Sequence, residues 1–178
     1  MSSMAYLLLC LFSSLLAVTY TEDATKDSLV LPRSPCPPGV LLYNRFCYEF
    51  IKQETFWDNA ERICGEWVEG AHLASILTPS EERMVTNYIK RYTKAKIVWI
   101  GLKAERADNE LIWNWSDFSL YDSGSALWDD EKPKTCPSDK NEECIALSNV
   151  QNPAETPRWA QYPCRHSYQF ICKYRASS

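Results

Sequence analysis

Residues 96–102 read Lys-Ile-Val-Trp-Ile-Gly-Leu, an apolar run of strand length with a glycine next to its last residue. A run of this kind, bounded by a turn signal, is typical of a buried strand. Upstream of it the period is helical. Thr78-Pro79-Ser80-Glu81 is a helix start, with proline at the first helical position and an acid three residues after the cap. Met84, Val85, Tyr88, Ile89 and Tyr92 form the stripe that follows. Further upstream, Thr55 precedes Phe56-Trp57-Asp58, a capping-box-like start with Asp in place of Glu. Trp57, Ala60, Ile63, Cys64 and Trp67 then repeat at helical spacing. Leu42–Phe50 suits a strand. Downstream, Leu111–Trp115 alternates large apolar residues with Asn114, and Ser116–Glu143 is long, polar and turn-rich. Glu143–Ser148, Arg158–Tyr162 and Gln169–Tyr174 are the last strand candidates. Strand, two helices, then strands around a long loop predict an α+β fold.

The 178 residues are 46% hydrophobic, 24% charged and 13% aromatic. That composition excludes disordered, collagenous and multi-span membrane proteins. A net charge of -4 gives no basic field for nucleic acid, and five glycines leave little for a phosphate cradle. Ala5–Val18 is apolar but too short to span a bilayer, and small residues follow it. Residues 1–21 are read as a secretory signal cut between Ala17 and Thr21, against the alternative of an N-terminal anchor. No later segment approaches spanning length, so the expected localisation is secreted and extracellular. Residues 22–35 form a flexible lead, residues 36–174 the domain, and residues 175–178 a tail. Within the lead, Arg33-Ser34 is either a site for a trypsin-like protease or part of an inert linker.

Eight cysteines are present, and Cys10 leaves with the signal. Export makes pairing of the remaining seven the default, and the odd number leaves one free or joined to another chain. The possible schemes number about a hundred, and composition does not choose among them. A zinc site is the competing reading. No C-x-x-C occurs, and His72 and His166 are the two histidines.

Several spaced elements resemble the C-type lectin-like domain family. They are Cys36 and Cys47, Trp57 with Ala60-Glu61 and Cys64, Gly70-Ala71-His72-Leu73-Ala74-Ser75-Ile76, Trp99-Ile100-Gly101-Leu102, and Trp113-Asn114-Trp115-Ser116-Asp117. Cys144, Trp159, Cys164 and Phe170-Ile171-Cys172-Lys173 complete the set, so the resemblance runs from Cys36 to Tyr174. It implies two helices packed on small antiparallel sheets with a long disulfide-pinned loop. It also implies the disulfides Cys36–Cys47, Cys64–Cys172 and Cys144–Cys164, which leave Cys136. That thiol is an interchain bridge, a capped free thiol, or a rival partner for Cys144. The layout looks like the secreted regenerating-protein or lithostathine group, snake-venom lectin-like proteins and eggshell matrix lectin-like proteins, in no firm order. The resemblance also implies that His72 and the tryptophans are structural.

Sugar-binding members of the family hold Ca²⁺ in the long loop with oxygens from Glu-Pro-Asn or Gln-Pro-Asp, from a Glu before the loop-closing cysteine, and from Trp-Asn-Asp. Here the matching positions are Lys132-Pro133-Lys134, Glu142 and Trp159-Ala160-Gln161. Lysine has no acceptor, alanine has no side-chain oxygen, and only Glu142 fits a hard cation. The expectation is no metal and no cofactor at this site. Asp129-Asp130-Glu131 would be its acidic rescue, or a solvated charged loop. Trp128 is either an exposed aromatic anchor or buried under the loop. Lys132, Lys134 and Lys140 would meet an anionic patch.

Two histidines and no H-E-x-x-H, G-x-S-x-G or phosphate loop argue against an enzyme. Asn114-Trp115-Ser116 is an N-x-S glycosylation triplet, with Asn114 directed away from its tryptophan neighbours. The reading that results is a secreted binding protein for an extracellular protein or anionic glycan or surface, with no nucleic acid, no membrane span and a possible homo- or heterodimer through Cys136. A Ca²⁺-dependent lectin and an eggshell-type, mineral-associated matrix protein are the alternatives.

Overall fold

In the computed structural model, which describes residues 34–107, 110–128, 142–152 and 156–177, the strand expected over Leu42–Phe50 is divided. β1 (Leu41–Tyr43) and β2 (Phe46–Thr55) form a hairpin around Asn44 and Arg45. Both turn residues have positive φ, the geometry of a two-residue hairpin, and the absence of glycine there conceals the turn in the sequence.

Helix α1 (Trp57–Trp67) follows. Its cap is Phe56, with no side-chain hydrogen bond, and not Thr55. Thr55 is the last residue of β2, and its carbonyl accepts from the Trp99 indole at 3.1 Å. Trp57, Ala60 and Cys64 are buried, while Trp67 is exposed, so the inward stripe stops one turn short of the helix end. β3 (His72–Leu73) leads to α2 (Pro79–Ile89). Here the Thr78 hydroxyl accepts from the Glu81 amide at 3.2 Å, as the four-residue start requires. The Glu81 side chain does not close the capping box. It accepts instead from the Leu77 amide at 2.8 Å and from Lys173.

The remaining strands are β4 (Val98–Ala107), β5 (Glu110–Trp115), β6 (Glu142–Ser148), β7 (Arg158–Tyr162) and β8 (Tyr168–Arg175). They join one connected sheet of order β1-β2-β8-β4-β6-β7, with β3 on β8 and β5 on β4. The sheet is therefore not a set of small separate ones. It is also not wholly antiparallel, because β8 enters between β2 and β4 and runs parallel to β4. Val98, Ile100 and Leu102 of β4 pack with Ile145 and Leu147 of β6, and with Val85, Tyr88 and Ile89 of α2. Trp99 on the opposite face packs with Trp57, Ala60 and Cys64 of α1, and with Phe170 and Cys172 of β8. Burial of both faces explains why residues 96–102 read as a continuous apolar run.

Gly101 marks a point where the backbone itself is the packing surface. The β4–β6 register shifts between Trp99 and Lys103. Within that irregularity Gly101 donates to the Ala74 carbonyl at 3.0 Å and accepts from the Ser116 amide at 2.8 Å. A methyl group at this position would run into the Leu73 carbonyl and lie 2.8 Å from Ser116 Oγ.

Three disulfides, Cys36–Cys47, Cys64–Cys172 and Cys144–Cys164, join positions 11, 108 and 20 residues apart. All six sulfurs lie in the layer that contains α1. A polar network crosses to the other layer. Lys173 donates to Glu81 Oε1 at 2.9 Å and to both the carbonyl and hydroxyl of Ser75 at 3.0 Å, while the Tyr48 hydroxyl also donates to Glu81. The Ser75 hydroxyl in turn donates to Asp117. The tail is held as well, since Ser177 donates from its amide to the Pro35 carbonyl at 3.1 Å.

Candidate functional site

The long-loop region expected to bind is described at its base. Asp129, Asp130, Glu131, Lys132, Pro133, Lys134 and Cys136 lie outside the described residues, as does Lys140. Leu127 and Trp128 enter the loop by joining β7. The Trp159 amide donates to the Leu127 carbonyl at 2.7 Å, and Trp128 bridges Trp159 in parallel. Trp128 is 5% exposed, so of the two alternatives for it burial holds and the exposed anchor does not. Its ring packs edge-to-face on Trp113 at 5.3 Å and on Trp159 at 5.4 Å, and Trp159 meets Trp115 in the same manner. Burial of this aromatic ladder fixes the loop's root. The cost is visible in the Trp115 and Trp159 indole N–H groups, which have no acceptor among the described residues. Burial pushes the Tyr121 phenol above its ordinary value, and the nearby Trp128 indole opposes this only in part.

β7 carries two of the positions where a calcium site would need oxygens. Ala160 stands opposite Ala146, and Gln161 stands opposite Ile145, on the strand that Cys144–Cys164 ties to β6. Glu142 begins β6, paired across the ladder with Glu105. The backbone frame is thus that of a loop closed at both ends. At these two positions Ala160 offers no side-chain oxygen and Gln161 a neutral amide oxygen in place of a carboxylate. Among the described residues, no group of three or more His, Cys, Asp or Glu side chains is placed to hold a metal ion.

The structure also forms a cleft whose walls from α1 and the β4–β5 ladder are not legible in the sequence. About 620 Å³ is enclosed by the start of α1, the β4–β5 ladder and residues 116–121. On one side Lys103 Nζ lies 2.9 Å from Asp58 Oδ1 and 3.6 Å from Glu105 Oε1, and 5.4 Å from the centre of the Trp57 ring. On the other side stand Phe118 and Leu120, which are 89% and 92% exposed. Their apolar side chains alternate with Asp117 and Ser119 in an otherwise polar stretch. That alternation was the available signal. Asp58 at the start of α1 lies 45 residues before Lys103, so no local pattern brings that wall to the other two. Asn114 lines the same cleft from the exposed face of β5. His72, by contrast, is held locally, with Nδ1 2.6 Å from Glu61 Oε1.

Residues 53–174 match the family model described as the Lectin C-type domain. The chain is 30% identical over 146 residues to regenerating islet-derived protein 4 of Homo sapiens, which covers 82% of this chain and 85% of that protein. Among solved structures, a calcium-independent type II antifreeze protein is 31% identical, with 80% of this chain and 96% of that chain covered and a TM-score of 0.61. The complex of a von Willebrand factor mutant A1 domain with botrocetin matches at 29% identity, covering 79% of this chain and 99% of that one, with a TM-score of 0.51. With a family match over more than half its length and a fold shared with these structures, the chain belongs to the C-type lectin domain family.

Proposed function

We propose that this is an exported binding protein, not an enzyme, which recognises an extracellular protein or an anionic glycan or surface without the family's Ca²⁺ and monosaccharide site. The observation that carries this reading is the donor set. β7 presents Ala160, which has no side-chain oxygen, and Gln161, which has only a neutral one, and Lys132 and Lys134 replace two further acceptors. A hard cation takes six to eight oxygens, and only Glu142 offers a carboxylate in that set. Support for a macromolecular partner comes from botrocetin, solved as a complex with a von Willebrand factor domain. Support for calcium independence comes from the antifreeze relative, described as calcium-independent. Export is favoured by the apolar stretch Ala5–Val18. No helix among the described residues is long and apolar enough to cross a membrane.

Chromatography tests the reading. The secreted protein passes through mannose and galactose resins in Ca²⁺ and in EDTA alike. It is retained on heparin resin, and Lys132→Glu with Lys134→Glu weakens that retention. Elution from a sugar resin by EDTA would refute the reading. Loss of heparin retention in the wild type would remove the anionic partner and leave a protein one.

We further propose that Cys136, the odd cysteine of the mature chain, links two chains. On non-reducing electrophoresis the secreted wild type runs at twice the reduced mass, and Cys136→Ser runs as a monomer. A wild type that is monomeric without reductant contradicts the link.

A further inference from the structure

β5 turns Glu110, Ile112 and Asn114 outward and packs Trp113 and Trp115 inward. Among the described strands it pairs with β4 alone, and Asn114 stands opposite Lys103 at the edge of the cleft. Asn114 opens the triplet Asn114-Trp115-Ser116. Beyond it Phe118 and Leu120 extend almost wholly into solvent from the same cleft. Their display is built into the main chain. Phe118 has a φ of 62°, a conformation that bulky side chains rarely adopt. It is fixed there by the Phe118 amide donating to the Trp115 carbonyl at 3.1 Å and by the Ser119 amide donating to Asp117 Oδ1 at 3.0 Å. Asp117 is anchored in turn by Ser75 of the buried network. The turn therefore keeps Phe118 outward, and an apolar patch held in water calls for a cover.

We propose that the cover is this chain's own N-linked glycan on Asn114, whose first sugars lie in the cleft against Phe118 and Leu120. Sugar rings offer apolar C–H faces and hydroxyl edges. The cleft matches both, with Phe118 and Leu120 on one wall and the charged groups of Asp58, Lys103 and Glu105 on the other. In the transfer step, Asn114 Nδ2 forms a bond to the anomeric carbon of a lipid-pyrophosphate-linked oligosaccharide. The anomeric C–O bond breaks, the lipid pyrophosphate leaves with its electron pair, and the transferring enzyme's base takes the Nδ2 proton. In the folded domain Ser116 is pinned, its amide donating to Gly101 and its hydroxyl to the Leu73 carbonyl at 3.4 Å. Transfer therefore precedes completion of the β4–β5 ladder.

The inference rests on the export reading, and its test separates the two. The full chain is expressed in a secreting eukaryotic cell line, and its appearance in the medium reports export. Intact mass is then measured before and after peptide N-glycosidase treatment of the folded protein, with bis-ANS as the probe of exposed apolar surface. The expected result is loss of one glycan from the wild type and none from Asn114→Gln, with a severalfold rise in bis-ANS fluorescence when the wild-type glycan is removed. Phe118→Ser with Leu120→Ser abolishes that rise. A secreted wild type of bare polypeptide mass overturns the proposal. So does a glycan whose removal leaves the fluorescence unchanged, since the patch would then be open to a partner.

Discussion

Replacing both Cys64 and Cys172 with alanine lowers the stability of the domain by about 4–5 kcal/mol, the largest loss among the three disulfides. The bond joins α1 to β8 across 108 residues. In the chain-entropy account a cross-link acts on the unfolded chain, and its effect grows with the loop it closes. The same account gives about 3 kcal/mol for Cys144–Cys164 and slightly less for Cys36–Cys47, which close shorter loops. Cys64 and Cys172 are also buried beside Trp57 and Leu73, so lost packing adds to the loss. Guanidinium unfolding of the three double variants checks the order. The Cys64/Cys172 variant has the lowest midpoint and a steeper denaturant dependence, because its unfolded chain exposes more surface. A loss no greater than that of the Cys36/Cys47 variant contradicts the account.

Lys173→Ala costs about 3–5 kcal/mol, since it strands the Glu81 carboxylate in the interior. The side chains of the pair are 7% and 9% exposed, Lys173 also donates to the Ser75 carbonyl and hydroxyl, and Glu81 also accepts from the Leu77 amide. Lys173 also lies 4.8 Å from the centre of the Phe46 ring and 5.4 Å from that of Tyr48. Burial, and then the adjacent Glu81 charge, hold the Tyr48 phenol far above its ordinary pKa, so it remains a donor to Glu81 throughout the working range. The pair's net contribution is much smaller than the cost of breaking it, because desolvation offsets most of the attraction. Lys173→Met combined with Glu81→Leu therefore recovers much of what Lys173→Ala loses, and the double-mutant cycle is strongly non-additive. Additive losses from the single variants would show that the two residues act independently.

The parts of the fold that were legible in the sequence are those set by local chemistry. Thr78-Pro79 places the start of α2, and the acid at Glu81 supplies the amide that the cap accepts from. Residues 96–102 identify a strand covered on both faces. The failures are equally specific. The Asn44-Arg45 turn adopts positive φ without glycine. Thr55 serves β2 and the Trp99 indole and not the helix it precedes. The parallel pairing of β8 with β4 joins segments some seventy residues apart, beyond any periodicity. At the site, the residue types of Ala160 and Gln161 are legible in the sequence, and whether they leave the loop without Ca²⁺ is the proposal tested below. The burial of Trp128 was not legible, because it depends on Trp113 and Trp159 arriving from other strands. The cleft beside Asn114 was missed for the same reason.

Calorimetric titration of the purified protein with Ca²⁺ to about 1 mM, the range of weak extracellular sites, tests the proposed absence of a Ca²⁺ site most directly. The expected result is heats indistinguishable from dilution, and the same melting temperature in Ca²⁺ and in EDTA. A saturable isotherm of one ion per chain, with a melting temperature that rises with Ca²⁺, would contradict it.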